Sequence, residues 1–322
     1  MTNSPKPKVV AVVGATATGK TPVAVELALT LNGEVVNGDS RLFYRGMDVA
    51  TAKPTNPEMR GVPHHLIDFL DPNEKFSLAE YLDRARATIE EISTRGKLPV
   101  LVGGSGQYLW ALIEGWEVPQ IEPDSELRDE LERLLDIDGV GALSERLKQI
   151  APGVAATTDL KNPRRVIRAI ERVQSGITDT SSSRQKAKEP PYDVKIIGLA
   201  VERASLHQRV LDRLSSMLES GWKNEVESLL ASGYSIDDYS LSGIGYRQMI
   251  GHIQGEYDLD EAVRLTAVAT NRLIRQQNNW FRQDDERIEW HDMTEQAESS
   301  VKLVISSVRD WLSDDENNAH TQ

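Results

Sequence analysis

The stretch "KVVAVVGATATGKTPVAVELALTL", residues 8–31, decides the fold. It opens on a valine-rich apolar run, the pattern of a buried strand, and closes on apolar residues spaced as on a helix. Between them, Gly14, four intervening residues and Gly19-Lys20-Thr21 match the loop that wraps a phosphate where a strand turns into a helix. Glycine at both ends lets the backbone aim its N–H groups inward. Lys20 adds a point charge, Thr21 offers a hydroxyl to a magnesium ion, and the helix beginning near Thr21 directs its positive end at the anion. The motif says that a phosphate group is held here; it does not say whether that group belongs to ATP.

Outward from this loop, strands alternate with helices. "GEVVNGD" (33–39) reads as a second strand and "LPVLVGGSG" (98–106) as a third. Between these two lies the helix "SLAEYLDRARATIEEISTRG", with Ser77 and Glu80 spaced as a capping box and Gly96 as its stop. "VKIIGLAV" (194–201) resumes the sheet, and long helical patterns follow from 206 to 283. Such alternation implies a parallel sheet with helices on both faces, which binds ligands at the carboxyl ends of its strands. That rule gathers Gly14–Thr21, Asp39 and Gly103–Gly106 at one edge.

Two short amphipathic patterns, near 124–135 and 139–150, interrupt the alternation and suggest a helical insertion over 118–160. The expected fold class is therefore α/β: a P-loop NTPase-like parallel sheet flanked by helices, with a small all-helical insertion and a helical C-terminal part. The sheet domain spans 1–117 and 161–312. The polar, proline-broken "SGITDTSSSRQKAKEPPYD" reads as a mobile connection.

Composition narrows the class. At 322 residues, 39% hydrophobic and 27% charged, the chain is globular, and no apolar run approaches the ~20 residues that span a bilayer. The start "MTNSPKPK" lacks the apolar stretch of a secretory signal, and the absence of cysteine excludes disulfides and thiolate metal sites, so a cytoplasmic enzyme is expected. The net charge of −13 argues against nucleic-acid binding by the surface as a whole but leaves room for a local basic face. Acid crowds the end of the chain, where "SDDENNAHTQ" (313–322) is expected to be a disordered tail.

Three features carry chemistry. Asp39 ends the second strand; it suits a magnesium ligand or a general base, and equally a helix N-cap. A phosphoryl-transfer enzyme would want a further acidic strand end for its magnesium, but "LPVLVGG" runs into Gly103-Gly104-Ser105-Gly106 instead. Between 161 and 188, eight Lys or Arg face two acids, and "NPRRVIRAIERV" puts Arg165, Arg168 and Arg172 on one helical face. That face is either an ordinary solvated surface or a grip on phosphates. Arg209 and Arg213 form a second pair four residues apart. "SGIGYRQMI" (242–250) places Tyr246 and Arg247 where they could stack on bases of a flexible loop. The six histidines show no ligand spacing, and "GVPHHLIDFLDP" reads as a structured turn.

Together "GATATGKT", "NGDSRLFYRGMDVATAKPT", "GVPHHLIDFLDP", "LVGGSGQYL", "NPRRVIRAIE", "LHQRV" and "GIGYRQM" make the chain resemble the bacterial tRNA dimethylallyltransferases, or tRNA isopentenyltransferases, over residues 9 to about 290. The resemblance implies that the loop holds the diphosphate of dimethylallyl diphosphate rather than ATP. It implies transfer of the dimethylallyl group to N6 of adenosine 37 in tRNAs that read codons beginning with U. It assigns Gly14, Ala15, Thr16, Ala17, Thr18, Gly19, Lys20 and Thr21 to the diphosphate, with Arg209 or Arg213 reaching it and Thr21 holding Mg2+. Asp39 takes the amine proton, and Ser105, Lys20 and Arg213 complete the catalytic set. Contacts to tRNA fall to Asp39, Ser40, Arg41, Leu42, Ser105, Arg128, Arg164, Arg165, Arg168, Ser242, Gly243, Gly245, Tyr246 and Arg247, and the insertion clasps the anticodon stem. The family often has threonine where this chain has Ser105, and arginine where it has Gln276. A monomer is expected. An adenylate isopentenyltransferase using free AMP or ATP, a P-loop kinase and an RNA-binding protein with a relict loop are the rival readings.

Overall fold

The computed structural model describes residues 6–118, 124–177, 186–187, 189–295 and 297–319. Two compact units divide the chain: Met1–Glu114 with Pro190–Gln322, and Gly115–Glu189.

The first unit is built on β1 (Lys8–Gly14), β2 (Gly33–Asn37), β3 (His64–His65), β4 (Leu98–Val102), β5 (Asp193–Ala200) and β6 (Ile288–Asp292), in the order β3-β2-β4-β1-β5-β6. Every adjacent pair runs parallel. β1 lies near the centre because all but its first residue are buried, which only a strand covered on both faces tolerates. On one face α1 (Lys20–Thr30) packs Val23, Val25 and Leu27 against Val10, Val12 and Val100. The last helix, α12 (Ala297–Ala319), adds Val304 and Val308 to the same core. The single-turn α2 (Asn56–Met59) precedes β3, α3 (Leu78–Thr94) and α4 (Gly106–Ile113) follow in sequence around β4 (Leu98–Val102), and the capping box of Ser77 and Glu80 forms at the start of α3. The C-terminal helices are α8 (Arg203–Glu219), α9 (Trp222–Ala231), α10 (Tyr246–Ile253) and α11 (Leu259–Trp280).

The fold class is as the sequence implies, with three corrections. Two edge strands were not anticipated: His64-His65 pairs with Val35-Val36 as β3, and "IEWHD" forms β6 beside β5. Residues 313–319, expected to be a tail, continue α12, because the segment from Ala297 contains no Gly or Pro to stop it; 320–322 lie outside the described residues. The helical unit extends beyond 118–160, since it includes α7 (Pro163–Gln174).

The reason is in the packing of that unit. α5 (Ser125–Ile150) is two helices meeting at Gly139, where φ is 74° and ψ is −179°. Leu127, Leu131, Leu143 and Leu147 of α5, Val154 of α6 (Pro152–Thr157), and Val166 and Ile170 of α7 make one apolar core. Val166 and Ile170 of α7 thus pack on the helices of their own unit. Of the proline-broken connection after it, 178–185 and 188 lie outside the described residues.

Candidate active site

The carboxyl ends of β1, β2 and β4 meet where backbones approach closely. A Cβ on Gly103 would come within 2.4 Å of the Gly38 carbonyl carbon, so the ends of β2 and β4 touch main chain to main chain. On one side of this junction is the phosphate loop. Ala17 and Gly19 take positive φ (64° and 90°), which curls the loop. The buried Thr18 donates from Oγ1 to Ala15 O at 2.9 Å, and Lys20 Nζ donates to the same carbonyl at 2.7 Å. Burial lowers the Lys20 pKa to about 8; the nearby Asp39 charge works against the shift and Arg213 works with it.

Asp39 sits two residues past β2, after Gly38. Its N–H donates to Asn37 Oδ1 at 2.9 Å, while Asn37 Nδ2 donates to the carbonyls of Asp39 and Leu66. One carboxylate oxygen accepts from Arg41 N at 3.0 Å, capping the 3-10 turn Ser40–Phe43. The cap reading and the functional reading of Asp39 therefore coexist: Oδ1 caps, and the residue still lines both cavities described below. Ser105 at the start of α4 accepts from Ser40 N at 3.3 Å, tying the two strand-end loops together.

Of the two arginines left open by sequence, Arg213 joins the loop. It donates from Nη1 to Thr16 Oγ1 and from Nη2 to Thr51 O, each at 3.2 Å. Burial lowers its pKa, with Asp39 and Glu58 opposing the shift. Arg209 donates instead to the carbonyls of Met293 and Thr294 beyond β6, although it too borders the phosphate side.

Two cavities adjoin this cluster. One, about 470 Å³, combines Asp39, Ser105 and Arg213 with the apolar Val210, Leu214, Leu273 and Trp280. The other, about 820 Å³, holds Lys20, Thr21, Lys53 and Arg209. Thr16, Ala17, Asp39, Thr51, Arg213 and Met217 line both and form the waist between them. A diphosphate suits the second cavity, and the first offers apolar walls for an apolar group beside the waist and room for a flat polar ring.

The segment expected to stack on bases is partly a wall instead. Tyr246 is 1% exposed, and its hydroxyl donates to Glu225 Oε1 at 2.7 Å, so it cannot offer a ring at the surface; it lines the smaller cavity. Gly245 has φ 93° and Gly243 packs on the Arg41 guanidinium, while Arg247 is exposed. Ser242 Oγ donates to Tyr239 O, and Leu42 borders the larger cavity.

In the helical unit, Arg164, Arg165 and Arg168 are exposed on α7. Arg165 pairs with Asp159 at 3.6 Å, and Arg168 and Arg128 both reach Glu171, at 3.4 and 2.8 Å. They form a basic face already part-compensated by acids.

Among the described residues no group of three or more His, Cys, Asp or Glu could hold a metal ion. Thr21 borders the larger cavity on the first turn of α1, a donor that fits a magnesium ion held mainly by substrate phosphates and water. His65 is structural: with Arg95 and Lys97 it holds the buried Glu34.

Two residues were given no role by the sequence reading. Gln277, 5% exposed on α11, accepts from Thr16 N at 2.8 Å and donates to Gly104 O at 3.1 Å. Glu225 accepts from the backbone N–H groups of Asp48, Val49 and Ala50. Their partners lie far away in sequence, so no local pattern marks them; only the unusual run Gly103-Gly104-Ser105-Gly106 signals that something presses on this loop.

Fold and site together define an α/β enzyme of the phosphate-loop class, with an apolar pocket opening beside its anion site. The family model described as IPP transferase matches residues 42–284, and the chain belongs to this family. The tRNA dimethylallyltransferase of Dehalococcoides mccartyi is 41% identical over 312 residues, covering 97% of this chain and 95% of that protein. The one from Halalkalibacterium halodurans is 44% identical over 292 residues, covering 90% and 92%. Among solved structures, the full-length tRNA isopentenylpyrophosphate transferase from Bacillus halodurans superposes with a TM-score of 0.73 at 39% identity, over 98% of this chain and 100% of that one. A eukaryotic dimethylallyltransferase acting on tRNA shares the fold, with a TM-score of 0.82 at 23% identity over 95% and 80% of the two chains.

Proposed function

We propose that this chain is a tRNA dimethylallyltransferase, moving a dimethylallyl group from dimethylallyl diphosphate to N6 of adenosine 37 in tRNAs that read codons beginning with U. The observation that carries the reading is the waist: Asp39, Thr16 and Arg213 border both a cavity lined by the phosphate loop and a cavity with apolar and aromatic walls.

The diphosphate lies against Lys20, Thr21 and the loop amides, with Arg213 at its inner end. Thr21 would hold magnesium together with the diphosphate, and the ion would supply further charge neutralisation. The prenyl chain rests on Leu214, Met217 and Leu273. The adenine, drawn out of its stack, enters from the smaller cavity. N6 attacks the first carbon of the prenyl group, the carbon–oxygen bond breaks, and diphosphate leaves with the electron pair. Arg213 and Lys20 stabilise the charge that develops there. Asp39 accepts the proton that N6 gives up, so the product amine is neutral. Ser105 orients the base, and Arg41, Ser242–Arg247 and the α7 arginines hold tRNA. The enzyme works as a monomer in the cytoplasm.

The test is transfer of label from the prenyl group of dimethylallyl diphosphate to unmodified tRNA, with magnesium present and AMP and ATP as competing acceptors. Label on tRNA supports the reading. Label on AMP or ATP points to a free-nucleotide enzyme, and phosphate transfer from ATP points to a kinase.

A further inference from the structure

Gln277 occupies a position that the reaction above does not yet use. Its side chain comes from α11 and fills the gap between the phosphate loop and the end of β4. The carboxamide is polarised across that gap: Oε1 accepts from Thr16 N at 2.8 Å and Nε2 donates to Gly104 O at 3.1 Å. Its two bonds run to opposite walls of the waist. On the donor side, Thr16 Oγ1 is the partner of Arg213 Nη1. On the acceptor side, Gly104 precedes Ser105, and a Cβ placed on Gly104 would lie 3.8 Å from Asp39 Oδ2. That same Cβ would come within 2.3 Å of Gln277 Nε2, so residue 104 must be glycine for the amide to fit.

A loop N–H of this kind would ordinarily face the phosphate; here Thr16 N–H is taken by a side chain from 261 residues away. The amide at residue 16 is thus withdrawn from the anion and used to fix the loop against the β4 end.

We propose that Gln277 is a positioning residue that sets the distance between the leaving diphosphate, on the Thr16–Arg213 side, and the attacking amine, on the Asp39–Ser105 side. The inference rests on the prenyl-transfer reading. It goes beyond that reading by making the spacing of the two half-sites depend on one buried carboxamide. Neither half-site loses its own ligand contacts when that carboxamide is removed. The consequence is a loss of rate without a loss of affinity: misplacement by about 1 Å costs on the order of 100-fold in a step that depends on alignment.

The experiment compares wild type with Gln277→Met, which keeps length and removes both hydrogen bonds, and with Gly104→Ala, which displaces the amide without deleting it. Three quantities are read: the single-turnover rate with both substrates saturating, per folded molecule; Kd for inorganic diphosphate; and Kd for an unmodified anticodon stem-loop. Folded fraction is taken from thermal melts. The proposal expects a rate lower by about 100-fold in both variants, with each Kd within about threefold of wild type. It is overturned if the rate per folded molecule is unchanged, or if the loss follows a rise in either Kd. If Gln277→Met does not fold, Gly104→Ala decides by the same criteria. Absence of transfer by wild type would defeat the underlying reading instead, and is seen before any variant is made.

Discussion

One carboxylate, Glu34, stands near the start of β2 and another, Asp39, two residues past its end, and the two are treated in opposite ways. At its start, Glu34 is 3% exposed yet holds two cations and an imidazole: Lys97 and Arg95 at 2.7 Å and His65 at 2.6 Å. Burial works against its charge, but the hydrogen bonds from Lys97 and His65 and the charge of Arg95 outweigh it and bring its pKa down to about 2. Just past the other end, Asp39 caps a turn, and two buried cations that feel its charge, Lys20 and Arg213, bond neutral oxygens: Ala15 O, Thr16 Oγ1 and Thr51 O. Both cations are made less basic by burial. Where the charges are structural, they are saturated. At the carboxyl edge, buried positive charge is held in readiness for an anion that the chain itself does not supply.

The contrast breaks first at Asp39. Asp39→Asn should lower kcat by ~10²–10⁴ while leaving KM for both substrates near wild type. Steady-state kinetics check this, and a rise in KM alone would remove Asp39 from the role of base. Arg213→Met comes next, with a loss of ~10²-fold in kcat, because it removes a donor to the leaving group. Arg209→Met, whose partners are carbonyls beyond β6, should cost less in the same assay.

Lys20 makes the contrast depend on pH. Its pKa lies at about 8 in the free protein, so its charge is present below that value and lost as pH rises through it. Diphosphate binds the charged form. Affinity should therefore hold below pH 8 and fall by up to ~10-fold per unit above it, as titration calorimetry would record.

The opposite end of β2 sharpens the comparison. Glu34→Gln should cost ~1–3 kcal/mol in urea unfolding and leave turnover per folded molecule unchanged. Because the folded pKa of Glu34 is depressed, its contribution is present above the usual carboxylate range and is lost as pH falls towards about 2. The smallest effect belongs to the helical unit. Arg165 is exposed and already paired with Asp159, so Arg165→Ala should weaken tRNA binding only a few-fold and lower the salt slope by about 1, read from Kd against ionic strength.

Much of this edge was legible in residues 8–39 and 98–106, because a phosphate loop, a valine run and a glycine-rich strand end are local signals. The rest depends on contacts distant in sequence. β6 escaped notice because "IEWHD" is short and mixes acids with apolar residues; its strand character comes from pairing with β5. α7 was legible as a helix from its arginine spacing, but that spacing does not name what the helix packs on, and Leu131 and Leu147 share its apolar core. Tyr246 looked like a stacking ring until its hydroxyl was found bonded to Glu225. Gln277 was given no role by the sequence, since its value lies in reaching Thr16 and Gly104 together.

The most direct test follows the adenosine itself. After incubation of wild-type protein with dimethylallyl diphosphate, magnesium and tRNA, nuclease digests are analysed by mass spectrometry. One strand carries adenosine at position 37 and a matched strand carries a purine lacking the exocyclic amine there. The account predicts a single adenosine bearing the five-carbon unit in the first strand and none in the second, with diphosphate released in equal amount. Equal labelling of both strands, or phosphate in place of the prenyl group, would contradict it.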